Sequence, residues 1–144
     1  MKATVNYQEI SSFALNKYNK EIDILKVAEK TIKISYNPGR LAPNIIVDVS
    51  IANVSNNVID FKYEFGAEYS KLGRFGLSSM LDFVNKKVLS LQKYIPKGFE
   101  VNTDERTVKV YLSKLEEFKK ALEFVTLSNI SFLEDSVSIS LKLL

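Results

Sequence analysis

Two long period-two runs constrain this chain more than any other feature: Ile45, Val47, Val49 and Ile51, then Ile59, Phe61, Tyr63 and Phe65, joined through Val54-Ser55-Asn56. Successive side chains of a strand point to opposite faces, so each run offers one apolar and one polar face. A short connection makes the pair an antiparallel hairpin with its apolar side turned from water. Only registers that keep both apolar sets on one side are allowed. Setting Val49 opposite Phe61 and Val47 opposite Tyr63 puts Asp48 across from Lys62, whereas a shift of two sets Asp48 against Glu64; charge complementarity favours the first.

The same alternation recurs. Ile22 and Ile24 precede Ile32, Ile34 and Tyr36, with a slip near Leu25 that reads as a bulge or turn. Phe99 and Val101 match Val108 and Val110 around Asp104-Glu105, which sets Glu100 opposite Lys109. Ile130 and Phe132 face Val137 and Ile139 across Glu134-Asp135, with Leu141 and Leu143 continuing the stripe. Helical spacing appears in three places. Asn6 and Glu9 cap a helix over residues 7–18, and Ser113 with Glu116 forms a capping box for one bearing Leu115, Phe118 and Leu122. The strongest pattern is Leu77, Met80, Leu81, Val84, Val88, Leu91 and Ile95, closed by Pro96-Lys97-Gly98.

The expected order is β-α-ββ-ββ-α-ββ-α-ββ. The expected fold class is α+β, a mostly antiparallel, curved sheet built from hairpins and packed on one long and two shorter helices. With 144 residues, 46% of them hydrophobic and 26% charged, residues 1–144 are expected to form a single domain with its own core.

The chain contains neither histidine nor cysteine. Thiol nucleophiles, imidazole bases and thiolate or imidazole metal sites are therefore absent. No Ser-x-x-Lys or Gly-x-Ser-x-Gly motif occurs. An enzyme is unsupported, and no catalytic residue, metal ligand or cofactor is assigned. Asp48 and Asp60 share a strand face, but beside Lys62 and Ser50 they read as a solvated surface. A net charge of +3 with interspersed signs lacks the concentrated basic face of a nucleic-acid binder. The N-terminus has no apolar h-region and no stretch of about 18 apolar residues occurs, so no transmembrane segment and a cytoplasmic location are expected.

The apolar positions of residues 77–95 spread over about 160° of a helical projection, more than the roughly 100° needed to lie on a sheet. Core packing is the plainer use of that stripe. Its surplus could also meet an apolar ligand or a second chain. The candidate apolar wall is Met80, Val84, Val88 and Leu91, together with Val47, Val49, Phe61 and Tyr63 from the long hairpin. Lys87 projects into the stripe, where it either snorkels to water or meets an anionic headgroup. Arg74, within Lys71-Leu72-Gly73-Arg74-Phe75-Gly76, is a second anion-contact candidate at a helix start, although the segment lacks the ending of a P-loop. Ser136, Ser138 and Ser140 alternate with apolar residues and read as an exposed serine row.

A short N-terminal helix, long alternating strands, a long apolar helix ending in Pro96-Lys97-Gly98 and a last strand Ser136-Val137-Ser138-Ile139-Ser140-Leu141-Lys142-Leu143-Leu144 together resemble small tubular lipid-binding (TULIP-like) domains. That resemblance implies a strongly curved antiparallel sheet wrapped around a long helix, with an apolar lumen for acyl chains, and it transfers no fixed polar site. The expected function is a non-enzymatic binding domain holding a lipid or other apolar small molecule between the long helix and the sheet. The alternative is a protein-interaction or homodimerisation module that uses the surplus helix face or an exposed strand edge.

Overall fold

A computed structural model describes residues 1–36, 44–65 and 97–144 of the chain. Among these, 58% lie in strands and 21% in helices. Among the described residues, sheet pairing and not helix packing supplies the core.

The N-terminal strand β1 (Lys2–Asn6) runs directly into helix α1 (Tyr7–Tyr18). Asn6 caps that helix, its side chain accepting the Gln8 N–H at 2.7 Å, and Asn19 ends it in the left-handed conformation. Four strands follow: β2 (Ile22–Ala28), β3 (Thr31–Tyr36), β4 (Ile45–Ser55) and β5 (Val58–Phe65). Beyond them come β6 (Phe99–Asn102), β7 (Thr107–Tyr111), β8 (Val125–Phe132) and β9 (Ser136–Leu143).

The strands form two antiparallel sheets. One has six strands in the order β2-β3-β4-β5-β7-β6, and the other has three in the order β1-β9-β8. Their apolar faces meet around Ile32, Ile51, Ile59 and Val110 from the larger sheet and Leu127, Ile130 and Phe132 from the smaller, with Tyr7 alongside. Two hairpin turns of the larger sheet hold β8. The Glu29 carbonyl accepts the Phe132 N–H at 2.7 Å, and Lys30 Nζ donates to Asn129 Oδ1 at 2.6 Å and to the Ile130 carbonyl. At the β4–β5 turn, Asn57 Oδ1 accepts the Leu127 N–H at 2.8 Å and the Thr126 hydroxyl at 3.0 Å.

This arrangement corrects the fold class expected from the sequence. What covers the core end of the large sheet is a second sheet, where helices were expected. Among the described residues α1 is the only helix longer than four residues, it buries only Tyr7, and it lies at the β1–β2 edge. The expected long helix over residues 77–95 lies outside the described residues. The helix expected from Ser113 is broken into three short pieces, Leu112–Lys114, Glu116–Lys119 and Ala121–Glu123. Leu115 interrupts it with extended backbone (φ −93°, ψ 121°) and packs toward the core. Its side chain lies against Gly98, whose φ of +104° and close approach to Leu115 admit no Cβ. Helical i,i+4 spacing predicts the pairs Glu116–Lys120 and Lys119–Glu123, but Lys119 instead pairs with Glu116 at 2.7 Å.

The hairpins differ in how they match expectation. Phe99 pairs with Val110, Glu100 with Lys109 and Val101 with Val108, as the sequence suggests, and so do Phe132 with Val137 and Ser131 with Ser138. Leu143 is exposed and does not extend the stripe. Ser138 is buried, flanked by Thr4 and Ser131, because β9 is the central strand of its sheet. The bulge between β2 and β3 falls between Lys26 and Ala28, just beyond Leu25.

The β4–β5 register is the one that charge had disfavoured. Asp48 faces Glu64, Val49 faces Tyr63 and Lys62 faces Ser50. Turn geometry decides this. Asn56 and Asn57 both adopt positive φ (53° and 61°), the two-residue type I′ connection that matches strand twist, and it pairs Ser55 with Val58. That pairing alone would put the two apolar sets on opposite faces. A bulge between Ile51 and Asn53 restores the parity. Lys33 on β3 lies directly across from Asp48 and offsets the like-charge contact.

Candidate functional site

Strands lie about 4.8 Å apart, so a six-stranded sheet is about 24 Å wide and a three-stranded one about 10 Å. The small sheet cannot cover the large one. Among the described residues, the part of the apolar face that the small sheet leaves free forms a groove of about 680 Å³.

Register explains which side chains share it. Across the large sheet, Ile32, Val49 and Tyr63 form one row, Ile34, Val47 and Phe65 a second, and Phe61, Val108 and Val101 a third. All of these line the groove, Phe99 and Val110 close one side, and Ile130, Phe132 and Val137 of the small sheet form the wall where the sheets converge. Every described lining residue is aliphatic or aromatic. The single heteroatom any of these side chains carries is the Tyr63 hydroxyl. It is shielded from solvent without a hydrogen-bond partner, and the Tyr63 ring stands edge-on to Phe65 at 6.3 Å. Burial pushes the Tyr63 phenol above the usual tyrosine range, and the positive charge of Arg106 opposes that shift.

Four of the residues singled out from the sequence, Val47, Val49, Phe61 and Tyr63, are brought together on this groove. The others, Met80, Val84, Val88, Leu91, Lys87 and Arg74, lie outside the described residues. Sequence reasoning did not connect the groove to Phe99, Val101 and Val108, although their alternation is visible, because the β5–β7 pairing that aligns them joins strands more than forty residues apart. It also missed Asn57. The signal for Asn57 was the Asn56-Asn57 dipeptide between two alternating runs.

The carboxylates do not form a catalytic pair. Asp48 sits between Lys33 and Glu64, and Asp60 between Asn53 and Lys109, neither having the neighbour expected from the sequence. Asp60 lies four residues along β5 from Glu64, the partner of Asp48. At about 3.3 Å per residue that is roughly 13 Å, beyond the separation at which two carboxyl groups share a glycosidic bond. A second hollow, about 570 Å³, lies beside α1 with Glu21, Asp23, Glu134 and Asp135 on its walls. No group of acidic side chains among the described residues has a geometry that could hold a metal ion. No helix among them is long and apolar enough to cross a membrane.

No protein-family model, curated protein or solved structure matches the chain. The resemblance to tubular lipid-binding domains therefore assigns it to no family.

Proposed function

We propose that this protein is a non-catalytic binding domain that holds a lipid or other apolar small molecule against the open face of its six-stranded sheet. The observation that carries this reading is the lining of the groove, which is aliphatic and aromatic throughout and of the size of small-molecule sites, about 300–1,000 Å³. Such a surface has little to offer a polar substrate and much to offer a hydrocarbon chain. Native mass spectrometry after mild purification tests it: an apolar molecule should co-purify, and the stripped protein should take up the neutral fluorophore N-phenyl-1-naphthylamine. A clean apo mass together with no uptake overturns the reading.

A second reading, a protein-interaction or homodimerisation module, draws on the edge of the same sheet. Strand β2 is an edge strand, and its Leu25 and Val27 are 64% and 56% exposed. An edge of that kind can accept another strand. Sedimentation at several concentrations decides: a concentration-independent monomer removes the homodimer.

A further inference from the structure

The hollow beside α1 faces the free edge of β2. Its walls include three consecutive β2 residues, Ile22, Asp23 and Ile24. Successive side chains of a strand point to opposite faces, so a hollow that meets all three meets the strand's edge and not one of its faces. Strand β2 ends the order of the six-stranded sheet, with β3 on its other side. The backbone groups that β2 turns away from β3 along this stretch have no hydrogen-bond partner among the described residues. Helix α1 forms the opposite wall through Tyr7, Ser11 and Leu15, which recur at four-residue spacing along one of its faces. Between helix and strand lies a notch of about 570 Å³, bounded on one side by an unpaired strand edge.

The charge of the notch is one-sided. Glu21, Asp23, Glu134 and Asp135 line it, and no lysine or arginine among the described residues does. The cations nearest in the chain are directed elsewhere: Lys17 lies over the rings of Phe13 and Tyr18, Lys20 over that of Tyr36, and Lys26 reaches Glu134 only at 3.8 Å. Glu21, Asp23 and Asp135 have no ion-pair partner among the described residues. Leu25 and Val27 follow Asp23 at alternate positions, on the same face of β2, and are exposed.

An unpaired edge accepts a strand through main-chain hydrogen bonds, and the side chains beside it select which strand. Across from Asp23 that selection favours a cation, and across from Leu25 and Val27 it favours aliphatic side chains. A second copy of β2 does not meet this demand. Lys26, the only cation of β2, lies on the face opposite Asp23, so no register of β2 on another β2 brings the two together.

We propose that the notch between α1 and β2 is a docking site for an extended segment of another protein, one that carries basic and aliphatic side chains at alternate positions and pairs with the free edge of β2. This rests on the interaction-module reading above, names the partner by its chemistry, and is independent of the apolar groove.

The test is fluorescence anisotropy with the full chain and three labelled, end-capped peptides. Lys-Thr-Val-Thr-Val-Thr-Lys presents its cations and valines on one face and reads the same in either strand direction. Glu-Thr-Val-Thr-Val-Thr-Glu reverses the charge, and the lysine peptide methylated at every peptide nitrogen keeps the side chains but loses the main-chain donors. The lysine peptide should bind, each of the other two at least about tenfold more weakly, and Asp23→Lys, at an exposed position, should weaken the lysine peptide about fivefold. Equal binding of the lysine peptide and its methylated form overturns strand addition, and equal binding of the lysine and glutamate peptides overturns the selection by charge. If no peptide binds, the basic strand is overturned; a concentration-dependent dimer in sedimentation then still upholds the interaction module, and a concentration-independent monomer removes its homodimer form as well.

Discussion

Replacing Asn57 with glycine sets two parts of the structure against each other. Considered only as a turn, the change should help, because Asn-Gly is the preferred pair for a two-residue type I′ hairpin and glycine accepts the φ of 61° without strain. Considered as the clamp between sheets, it should harm. The Asn57 side chain accepts the N–H of Leu127, a residue only 6% exposed, and the hydroxyl of Thr126. Without that acceptor the Leu127 N–H is left buried and unpaired at a cost of about 1–3 kcal/mol, while the turn gains a few tenths at most. The expected net effect of Asn57→Gly is a loss of about 2 kcal/mol in urea unfolding followed by circular dichroism, with faster amide exchange at Leu127. Asn56→Gly is the internal control: the same turn and a similar φ of 53°, no side-chain bond to β8, and an expected change within about 0.5 kcal/mol. If Asn57→Gly proves neutral or stabilising, the docking of the β4–β5 turn on the small sheet is not what holds the two sheets together.

The Tyr7 hydroxyl donates to the Leu133 carbonyl at 2.6 Å, and burial, with the negative charges of Asp135 and Glu134, holds its phenol above the usual tyrosine range. A raised folded-state pKa gives stability that is complete below about pH 10 and lost as pH climbs through the folded value. Tyr7→Phe should therefore be about 1 kcal/mol less stable than the original at pH 7, with the gap in urea midpoints closing above pH 10; a gap that stays constant refutes the assignment. Glu64→Lys, which turns the like-charge contact with Asp48 into an opposite-charge one, should raise stability by about 0.5 kcal/mol in the same assay, and a loss would mean that the register is held differently. Stripping the co-purified ligand should lower the melting temperature, and fatty acid added at about a hundred times its Kd should restore about 2.7 kcal/mol; a melting temperature indifferent to both steps counts against a resident ligand.

Features set by neighbouring residues were legible in the sequence. Helix α1 begins at Asn6 because the cap is local, the β6–β7 hairpin falls in register because alternation and the Glu100–Lys109 charge match agree, and the β8–β9 hairpin does so on alternation alone. The long hairpin was harder, since charge and turn disagreed. Comparing Asp48–Lys62 with Asp48–Glu64 weighs fractions of a kcal/mol, whereas the Asn56-Asn57 turn fixes which residues can meet at all, and the bulge beside Ile51 cannot be seen until that turn is recognised. The division into two sheets was not legible. It depends on β1 joining β9, so that Lys2 meets Ser140, and alternation within one strand carries no information about a partner so distant. The Ser113 capping box failed for a related reason. Leu115, extended at the helix break, packs toward the core and against Gly98, a contact with a residue outside the capping box that Ser113 and Glu116 do not announce.

The size mismatch between the sheets also bears on what state of the protein is stable. Ile34, Val47, Val49, Phe61, Val101 and Val108 are part-buried, each keeping some of its surface on the groove. Full burial of such a side chain contributes about 1.5–3 kcal/mol, and at most about a third of each of the six is still exposed, so no more than about 3–6 kcal/mol is still to be gained. A whole domain is stable by only about 5–15 kcal/mol. Apolar material in the groove is therefore worth as much as a large part of the net stability of the fold. Wall shape alone would accept any hydrocarbon.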